Sequence, residues 1–392
     1  MLDAIERRYL PRALGAARGE LLTWARYVAL HEAIRVPLIG AHRLASLVTR
    51  VAARRATPAR DRQLEHAVRE RYWQLLARDF DGARRGLYPR ELLFDVPLAS
   101  YAASLPRFLR DTPRVLGRMG AGAHDDLPPH VDLSAFPAYY RRTFHWQTDG
   151  YLSRRSAALY DLGVELLFIG AADVMRRQVL AEVVRRKRPG ALRLLDVATG
   201  TGRFLGQAAR ALPGSTLVGV DLSPWYIEHA REHQRARGGA SRSLRFEVGN
   251  AESLPFADES FDAVTSIFLL HELPRRVRRT ALAEVRRVLA PGGLLVLEDA
   301  AQSSDAHELA PVLAQFSKDM HEPYFADYQR DDLAALLEEA GFSDVRVGSH
   351  FVAKVASANK PHRPAKATRT QSQTQGASGV EDLAHEREGL LH

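Results

Sequence analysis

Two glycines that follow an apolar run provide the first group of residues able to bind a ligand. Residues 194–204 read LLDVATGTGRF, in which the apolar run ends at Asp196 and a turn of small residues opens into a helical pattern near Arg203. Gly200 and Gly202 carry no Cβ, so a ligand can lie directly against the backbone there. Free N–H groups at a helix start favour a carboxylate or a phosphate. The segment therefore predicts a strand, a binding loop and a helix N-terminus.

The neighbouring sequence narrows the identity of the ligand. The third glycine of a dinucleotide-binding fingerprint would fall at Leu205, and no Gly-Lys-Ser/Thr follows the loop to hold a triphosphate. NAD and ATP are therefore disfavoured. Residues 217–221 read LVGVD, a second apolar run that ends in an acid at the place where a doubly wound fold puts the carboxylate that accepts both ribose hydroxyls. Asp221 is the expected ribose ligand.

Three further apolar runs continue the pattern of alternating strands and helices. Residues 244–248 lead into GNAESLPF, residues 261–267 lead into FLLHELP, and residues 289–299 read LAPGGLLVLED. Residues 343–347 and 351–355 complete the series as a closing hairpin. This order predicts an α/β fold built on a mostly parallel sheet.

Together these segments resemble a class I S-adenosylmethionine-dependent methyltransferase. GNAESLPF and APGGLLVLED resemble the ubiquinone/menaquinone C-methyltransferase-like branch, and the resemblance covers residues 193–355, under half of the chain. It implies an α/β, doubly wound, seven-stranded sheet in which only the last strand is antiparallel, preceded by a largely helical N-terminal region. It also implies S-adenosylmethionine as the cofactor and methyl transfer as the activity.

The resemblance indicates which residues contact the cofactor. Asn250 stands where this branch usually has Asp, and its side-chain oxygen still offers an acceptor to the adenine amino group. The expected cofactor-binding residues are Asp196, Ala198, Thr199, Gly200, Gly202, Asp221, Leu222, Asn250, Ala251 and Phe268.

A general base is needed only if the acceptor must lose a proton, because methyl transfer is an in-line displacement that depends mostly on positioning. His271 follows the fourth strand and is the leading candidate for that base, since imidazole titrates near neutrality. The alternative is that His271 caps the turn or bonds to a backbone carbonyl. The pairs His271-Glu272, His307-Glu308 and His321-Glu322 lack the spacing of a metal-binding motif, so no metal site is expected.

Two segments outside the sheet carry candidate acceptor-binding residues. Residues 139–151 read YYRRTFHWQTDGY, and residues 300–329 resemble the variable insertion that shapes acceptor specificity in related enzymes. The aromatic stretch is interpreted either as part of the acceptor pocket or as a seam that ties the N-terminal region to the core. The candidates are Tyr140, Phe144, His145, Trp146, Tyr151, His321 and Tyr324.

Composition limits the chemistry and the partners. The 392 residues include no cysteine, which excludes disulfides, thiolate metal sites and a cysteine nucleophile. The net charge is +8, and residues 1–60 hold eleven arginines against four acidic residues, a net +7. The remaining sequence is close to neutral, so a nucleic-acid partner is not expected. The excess of Arg over Lys suggests a bacterial source.

The same distribution of residues predicts the organisation of the chain. We expect a helical N-terminal region at residues 1–130, a methyltransferase domain at residues 131–356 with its sheet core at 193–355, and a disordered tail at residues 357–392. A cytoplasmic protein is expected, because no membrane span or signal peptide is recognisable. Basic amphipathic helices in residues 1–56 suggest two roles, contact with an anionic membrane surface or packing on a neighbouring part of the chain or on another subunit of a homo-oligomer.

The sequence thus favours an enzyme that methylates a small apolar or aromatic acceptor, such as a quinone-like, lipid-like or other secondary metabolite. The methylated atom, carbon, oxygen or nitrogen, is left open. The alternative is a regulatory or interaction protein that keeps the cofactor fold without turnover. Asp196, Gly200, Gly202 and Asp221 favour the enzyme, because all four cofactor positions are intact.

Overall fold

A computed structural model describes residues 18–52, 62–236, 243–305 and 307–362. Much of the basic N-terminal segment, including residues 1–17, and the predicted tail from residue 363 onward lie outside the described residues. In the described part of the chain, one seven-stranded sheet has the strand order β3-β2-β1-β4-β5-β7-β6. The strands are β1 (Arg193–Val197), β2 (Thr216–Asp221), β3 (Leu244–Val248), β4 (Phe261–Ile267), β5 (Leu289–Ala300), β6 (Ser343–His350) and β7 (Ala353–Asn359).

The strand pairing confirms the predicted doubly wound sheet. β1 pairs in parallel with β2 and with β4, β2 pairs in parallel with β3, and β4 with β5. Only β7 is antiparallel to its neighbours, β5 and β6. β1 lies between β2 and β4, so the order of the strands reverses beside it. Ligands of doubly wound folds bind at the carboxyl ends of the strands near this reversal.

Helices cover both faces of the sheet and also precede it. Those before the sheet are α1 (Arg18–Ala52), α2 (Arg62–Arg84), α3 (Leu98–Ala121), α4 (Arg154–Leu167) and α5 (Ala172–Arg186). The helices that follow β1 are α6 (Arg203–Ala211), α7 (Pro224–Ala236), α8 (Arg275–Val288), α9 (Ala310–Asp319), α10 (Phe325–Tyr328) and α11 (Leu333–Glu339). The helical N-terminal region predicted from the sequence is therefore present in the described residues.

Alternating strand residues divide the interior into two cores. Leu194 of β1 packs with α5, α6 and α7, whereas Leu195 packs with α8 and α11 on the opposite face. This period of two is the expected pattern for a sheet buried on both sides. Trp24 of α1 and Tyr72 of α2 belong to the same core as Leu194, so the N-terminal helices share a hydrophobic core with one face of the sheet.

A buried ion pair fastens α2 to α5. Arg177 donates two hydrogen bonds, of 2.8 and 2.7 Å, to the Asp79 carboxylate. The Tyr27 and Tyr88 hydroxyls also donate to that carboxylate, over 2.5 and 2.7 Å. Asp79 is completely buried, and these four hydrogen bonds supply the partners that a buried carboxylate requires.

The closing hairpin extends beyond the boundaries expected from the sequence. β6 reaches His350 and β7 reaches Asn359, so the tail boundary placed at residue 356 falls inside a strand. The end of β7 was not predicted because its small and polar residues form no apolar run, although Ala356 and Ala358 pack into the core. None of the helices in the described ranges combines the length and the apolar character needed to cross a membrane.

Candidate active site

The two glycines after β1 have different structural roles. Gly200 has a φ of +56°, and a Cβ added there would meet no atom within 4 Å. Gly202 has a φ of +74°, and an added Cβ would lie 2.7 Å from the Phe246 ring. Gly200 therefore leaves room for a ligand, while Gly202 permits close packing between the start of α6 and β3. Ala198, between them and β1, also has a positive φ, +59°, a strained conformation typical of functional sites.

Asp221, at the end of β2, connects to the glycine loop. Its Oδ2 accepts a 2.9 Å hydrogen bond from the Gly200 N–H, and its Oδ1 accepts one of the same length from the Ser223 N–H. Burial raises the pKa of the Asp221 carboxyl to about 6. The carboxylate is ionised at neutral pH and keeps lone pairs for a ligand's hydroxyl groups.

Asp196, near the end of β1, is a second buried acid. Its Oδ1 accepts a 2.7 Å hydrogen bond from the Thr265 hydroxyl, and burial raises the pKa of its carboxyl to about 7. A buried carboxyl with a raised pKa is suited to binding a cation or a strong hydrogen-bond donor, because a positive charge nearby would favour the ionised carboxylate.

Two cavities open above the carboxyl ends of β1, β2 and β4. The smaller is lined by Asp221, Leu222, Asn250 and Ala251 together with aromatic residues. The larger is lined mostly by apolar residues, with Asp196, Thr199 and several charged side chains among them. The residues that line both are Tyr160, Ala198, Gly200, Ile267, Phe268 and Glu272. The cavities therefore adjoin at the glycine loop and the end of β4.

The aromatic segment at residues 139–151 divides between the two cavities. Tyr140, Phe144 and Tyr151 line the smaller cavity, and His145 lines the larger one. Phe144, Tyr151 and Tyr226 form a small aromatic core over this region, and the Ser223 hydroxyl donates a 2.6 Å hydrogen bond to the Tyr151 carbonyl. The segment thus both ties the preceding helices to the sheet and contributes side chains to the site.

Three of the candidate acceptor residues lie outside both cavities. The Trp146 indole N–H donates a 2.7 Å hydrogen bond to the Asp319 carbonyl, and its ring centroid lies 5.0 Å from that of His321. The Tyr324 ring contacts the Arg142 guanidinium at 5.4 Å. These contacts hold the insertion after β5 against the aromatic segment, and an acceptor role for the three side chains stays a prediction.

His271 is fixed by a neighbouring acid. Its Nδ1 lies 2.6 Å from Asp299 Oδ1, and its ring is almost fully buried. Burial lowers the pKa of His271, but the charges of Asp299 and Glu322 outweigh burial and raise it to about 10. The ring lines the larger cavity and bonds to a carboxylate rather than to the backbone carbonyl considered from the sequence. Its role as a base stays a prediction.

Sequence patterns gave no signal for two arginines in the larger cavity. Arg176 of α5 and Arg203 of α6 both line it, near Asp196. The Arg203 Nε and Nη1 atoms are buried without a hydrogen-bond partner, although Nη2 pairs with Asp173. Unsatisfied guanidinium donors beside a cavity are suited to an anionic ligand group such as a carboxylate. Glu272, which lines both cavities, and Glu322 were also missed as individual candidates.

The sequence of the chain matches known methyltransferases. A family model described as "Methyltransferase domain" matches residues 194–293. The ubiquinone/menaquinone biosynthesis C-methyltransferase UbiE of Geobacter sp. (strain M21) is 32% identical over 221 residues, which cover 50% of this chain and 86% of that protein. The chain therefore belongs to the class I S-adenosylmethionine-dependent methyltransferases. Within that class it resembles the UbiE branch, as its sequence segments predicted.

Two other relatives show how much of the chain is shared. Demethylmenaquinone methyltransferase of Deinococcus radiodurans is 41% identical over 141 residues, covering 36% of this chain and 55% of that protein. O-methyltransferase cnsE of Penicillium expansum is 33% identical over 203 residues, covering 49% of this chain and 70% of that protein. The chain thus spans little more than half the length of the Deinococcus relative, and about half of its own length lies outside these matches.

Proposed function

We propose that the protein transfers a methyl group from S-adenosylmethionine, the cofactor of its family, to a small apolar or aromatic acceptor. The observation that carries this proposal is the pair of adjoining cavities, one suited to a nucleoside and the other mostly apolar. With its nucleoside in the smaller cavity, the cofactor would cross beside Gly200 and Phe268, where the cavities adjoin. Its amino-acid end would then reach Asp196 and Arg203, and its methyl group would face an acceptor in the apolar part of the larger cavity.

The described residues fit the parts of the cofactor. Asp221 is placed to accept the ribose hydroxyls, and Asn250 and Ala251 line the same cavity where the adenine would bind. The open space at Gly200 accommodates a ligand against the backbone. Asp196 is suited to the α-ammonium group, and the unpartnered Arg203 donors are suited to the carboxylate. Each polar part of the cofactor therefore has a complementary side chain nearby.

The larger cavity supports an apolar acceptor. Its walls combine helix α4, the end of β4 and helix α9, and Phe168 stacks on Phe268 with ring centroids 5.0 Å apart. The apolar lining residues are Val164, Leu167, Phe168, Phe204, Ile267, Phe268, Ala300, Val312, Leu313, Phe316, Phe325 and Val352. Such a lining excludes water and holds a ring in place.

Positioning supplies most of the expected catalysis. S-adenosylmethionine provides an electrophilic methyl group, so the protein has to align the acceptor atom with it and keep water away. The names of the relatives, demethylmenaquinone methyltransferase and O-methyltransferase, favour a quinone-like or other oxygen-bearing aromatic acceptor. Methylation at carbon or at oxygen is compatible with the cavity.

Methyl transfer from labelled cofactor tests the proposal. Purified protein would be incubated with reduced short-chain naphthoquinones and substituted phenols, and in parallel with polar amines and amino acids. We expect labelled product only with the aromatic compounds and less of it in Phe316→Ser, which adds a hydroxyl to the wall of the larger cavity alone. Cofactor binding without transfer to any acceptor, including a lysate metabolite extract, would favour the alternative of a regulatory protein.

We further propose peripheral contact with an anionic membrane through residues 1–56. In the described part of this region, α1 exposes Leu21, Leu22 and Val36, with 39%, 66% and 58% of each residue accessible. The net positive charge of the segment complements anionic lipid. Co-sedimentation with anionic vesicles at low salt that is lost at high salt would support this contact. Absence of co-sedimentation at every salt concentration would contradict it.

A further inference from the structure

Three side chains that are far apart in sequence meet beside the larger cavity. His145 Nδ1 lies 3.0 Å from Glu322 Oε1, and His145 Nε2 lies 3.3 Å from Glu272 Oε1. One nitrogen of His145 and one oxygen of each glutamate all lie within 4.8 Å of one another. The three residues come from the aromatic segment, from the turn after β4 and from the insertion after β5, so no local spacing in the sequence could reveal them.

Three buried atoms of this cluster, His145 Nδ1 and the two Glu322 oxygens, lack hydrogen-bond partners. The Glu322 side chain is 0% exposed, yet neither of its oxygens makes a hydrogen bond, and neither does His145 Nδ1. The close approach of these atoms therefore lacks hydrogen-bond geometry. A buried carboxylate is costly unless it is paired or coordinates a metal, and Glu322 Oε1 lies 3.0 Å from an imidazole nitrogen that makes no hydrogen bond.

Neighbouring groups hold the cluster in place as outer residues do around a metal. The Tyr151 hydroxyl donates a 2.6 Å hydrogen bond to Glu272 Oε1. His271 Nε2 lies 3.8 Å from Glu322 Oε1, while its Nδ1 bonds to Asp299. Carboxylates and hydroxyls in such positions orient metal ligands. His145 itself has a strained backbone, with a φ of +54°, as residues at functional sites often do.

We propose that His145, Glu272 and Glu322 bind a divalent transition-metal ion. One imidazole and two carboxylates, with no thiolate, suit Mn²⁺, Fe²⁺ or Zn²⁺ better than Ca²⁺ or Mg²⁺. With metal–ligand distances of about 2.1 Å, two ligand atoms are at most about 4.2 Å apart. The three ligand atoms already lie within 4.8 Å of one another, so small side-chain movements would bring them to this spacing. His145 can give only one nitrogen, and Nδ1 faces Glu322.

The position of the ion indicates the acceptor that it would hold. His145 and Glu272 line the larger cavity, so the open coordination positions face the space assigned to the acceptor. A metal there would bind a hydroxyl or phenolate oxygen and orient the ring relative to the methyl donor. This step rests on the proposed function and narrows the acceptor to one that bears oxygen. The metal site itself does not depend on it.

Metal binding to the full-length protein without cofactor tests the site. EDTA-treated protein would be titrated with MnCl₂ and followed by the loss of the free-ion electron paramagnetic resonance signal, and with ZnCl₂ by calorimetry. We expect one Mn²⁺ site with a dissociation constant below about 100 μM. Glu322→Gln should weaken it at least about tenfold. This variant leaves both cavities lined as before, because Glu322 lines neither.

A matched control uses another His-Glu pair. His307 and Glu308 are exposed on the turn before α9, so the double variant His307→Gln, Glu308→Gln should bind Mn²⁺ like the parent. If Glu322→Gln does not fold, His145→Gln replaces it, and thermal stabilisation of the parent by MnCl₂ provides a second readout. Absence of binding at about 1 mM Mn²⁺ or Zn²⁺, or equal binding by folded Glu322→Gln or His145→Gln, would overturn the proposal.

The metal titration is independent of the methyltransferase proposal. S-adenosylmethionine is absent from it, so a protein that binds the cofactor but no metal would lose only the metal site. A protein that binds Mn²⁺ through Glu322 but does not bind the cofactor would lose only the proposed function.

Discussion

The Asp221 carboxylate accepts a 2.9 Å hydrogen bond from the Gly200 N–H. This contact joins the end of β2 to the glycine loop after β1, the two neighbouring strand ends on which the cofactor would lie. We therefore expect this acid both to shape the loop and to bind ribose hydroxyls, so its loss should affect both.

Asp221→Ala should weaken S-adenosylmethionine binding by about 1–3 kcal/mol, because the ribose hydroxyls and the Gly200 N–H would lose their acceptor. Isothermal titration calorimetry of the folded variant measures the change. Asp262→Ala is the matched control. Asp262 lies near the start of β4 and pairs with Arg193 at the start of β1, at the opposite end of the strands from the proposed cofactor site. Equal affinity of Asp221→Ala and the parent would show that the ribose lies elsewhere.

The two glycines should differ in what their substitution damages. Both have positive φ, so alanine at either costs about 1–2 kcal/mol of backbone strain. Gly202→Ala adds overpacking against Phe246, about 1–3 kcal/mol more, and should lower the melting temperature further than Gly200→Ala. Gly200→Ala should reduce cofactor affinity more, because its Cβ points into open space beside the cavity. Equal melting temperatures of the two variants would contradict these separate roles.

Cofactor affinity should rise with pH from 5.5 to 8. Burial raises the pKa of the Asp221 carboxyl to about 6 and that of Asp196 to about 7. Below these values the carboxyls are protonated and pair less well with hydroxyls and with an ammonium group. For each carboxyl that must be ionised, the cofactor affinity falls about tenfold for every pH unit below the pKa of that carboxyl. Calorimetry over this range checks the slope, and Asp196→Asn should remove the component near pH 7. A flat profile would contradict the assignment.

The ion pair between α2 and α5 should control stability rather than catalysis. Asp79→Asn leaves the Arg177 guanidinium buried without a charged partner, so the free energy of unfolding should fall by about 3–5 kcal/mol. Urea denaturation measures this change. Asp81→Asn is the control, because Asp81 pairs with Arg84 and Arg85 near the surface, where such pairs contribute about 1 kcal/mol or less. If the two variants lost a similar amount of unfolding free energy, the buried pair would contribute no more to stability than a surface pair.

The sheet and the glycine loop were predictable because their signals are local. Apolar runs that end in Asp196 and Asp221 identify buried parallel strands, and the observed pairing of β1 with β2 confirms them. The boundary of β7 was predicted less well, since Ala356 and Ala358 are too small to produce a strong apolar pattern. Both alanines are buried because β7 pairs with β5 inside the sheet and they pack into the core on one of its faces.

The cluster of His145, Glu272 and Glu322 could not be predicted, because only tertiary folding brings these residues together. His145 and Glu322 are far apart in sequence, and contacts such as those of Trp146 with Asp319 and His321 hold the aromatic segment against the insertion. From the sequence no metal site was expected, because none of the three His-Glu pairs has the spacing of a metal-binding motif. That spacing describes each pair alone, whereas the cluster takes one glutamate from each of two pairs and His145 from a third segment.

Calorimetric titration of the full-length protein with S-adenosylmethionine at pH 8 measures directly whether the glycine loop, Asp196 and Asp221 form a cofactor site. We expect one site of micromolar affinity that Asp221→Ala weakens at least about fivefold and Asp262→Ala leaves unchanged. Absence of binding at millimolar cofactor would contradict the account, since the glycine loop, Asp196 and Asp221 would then have no cofactor to hold.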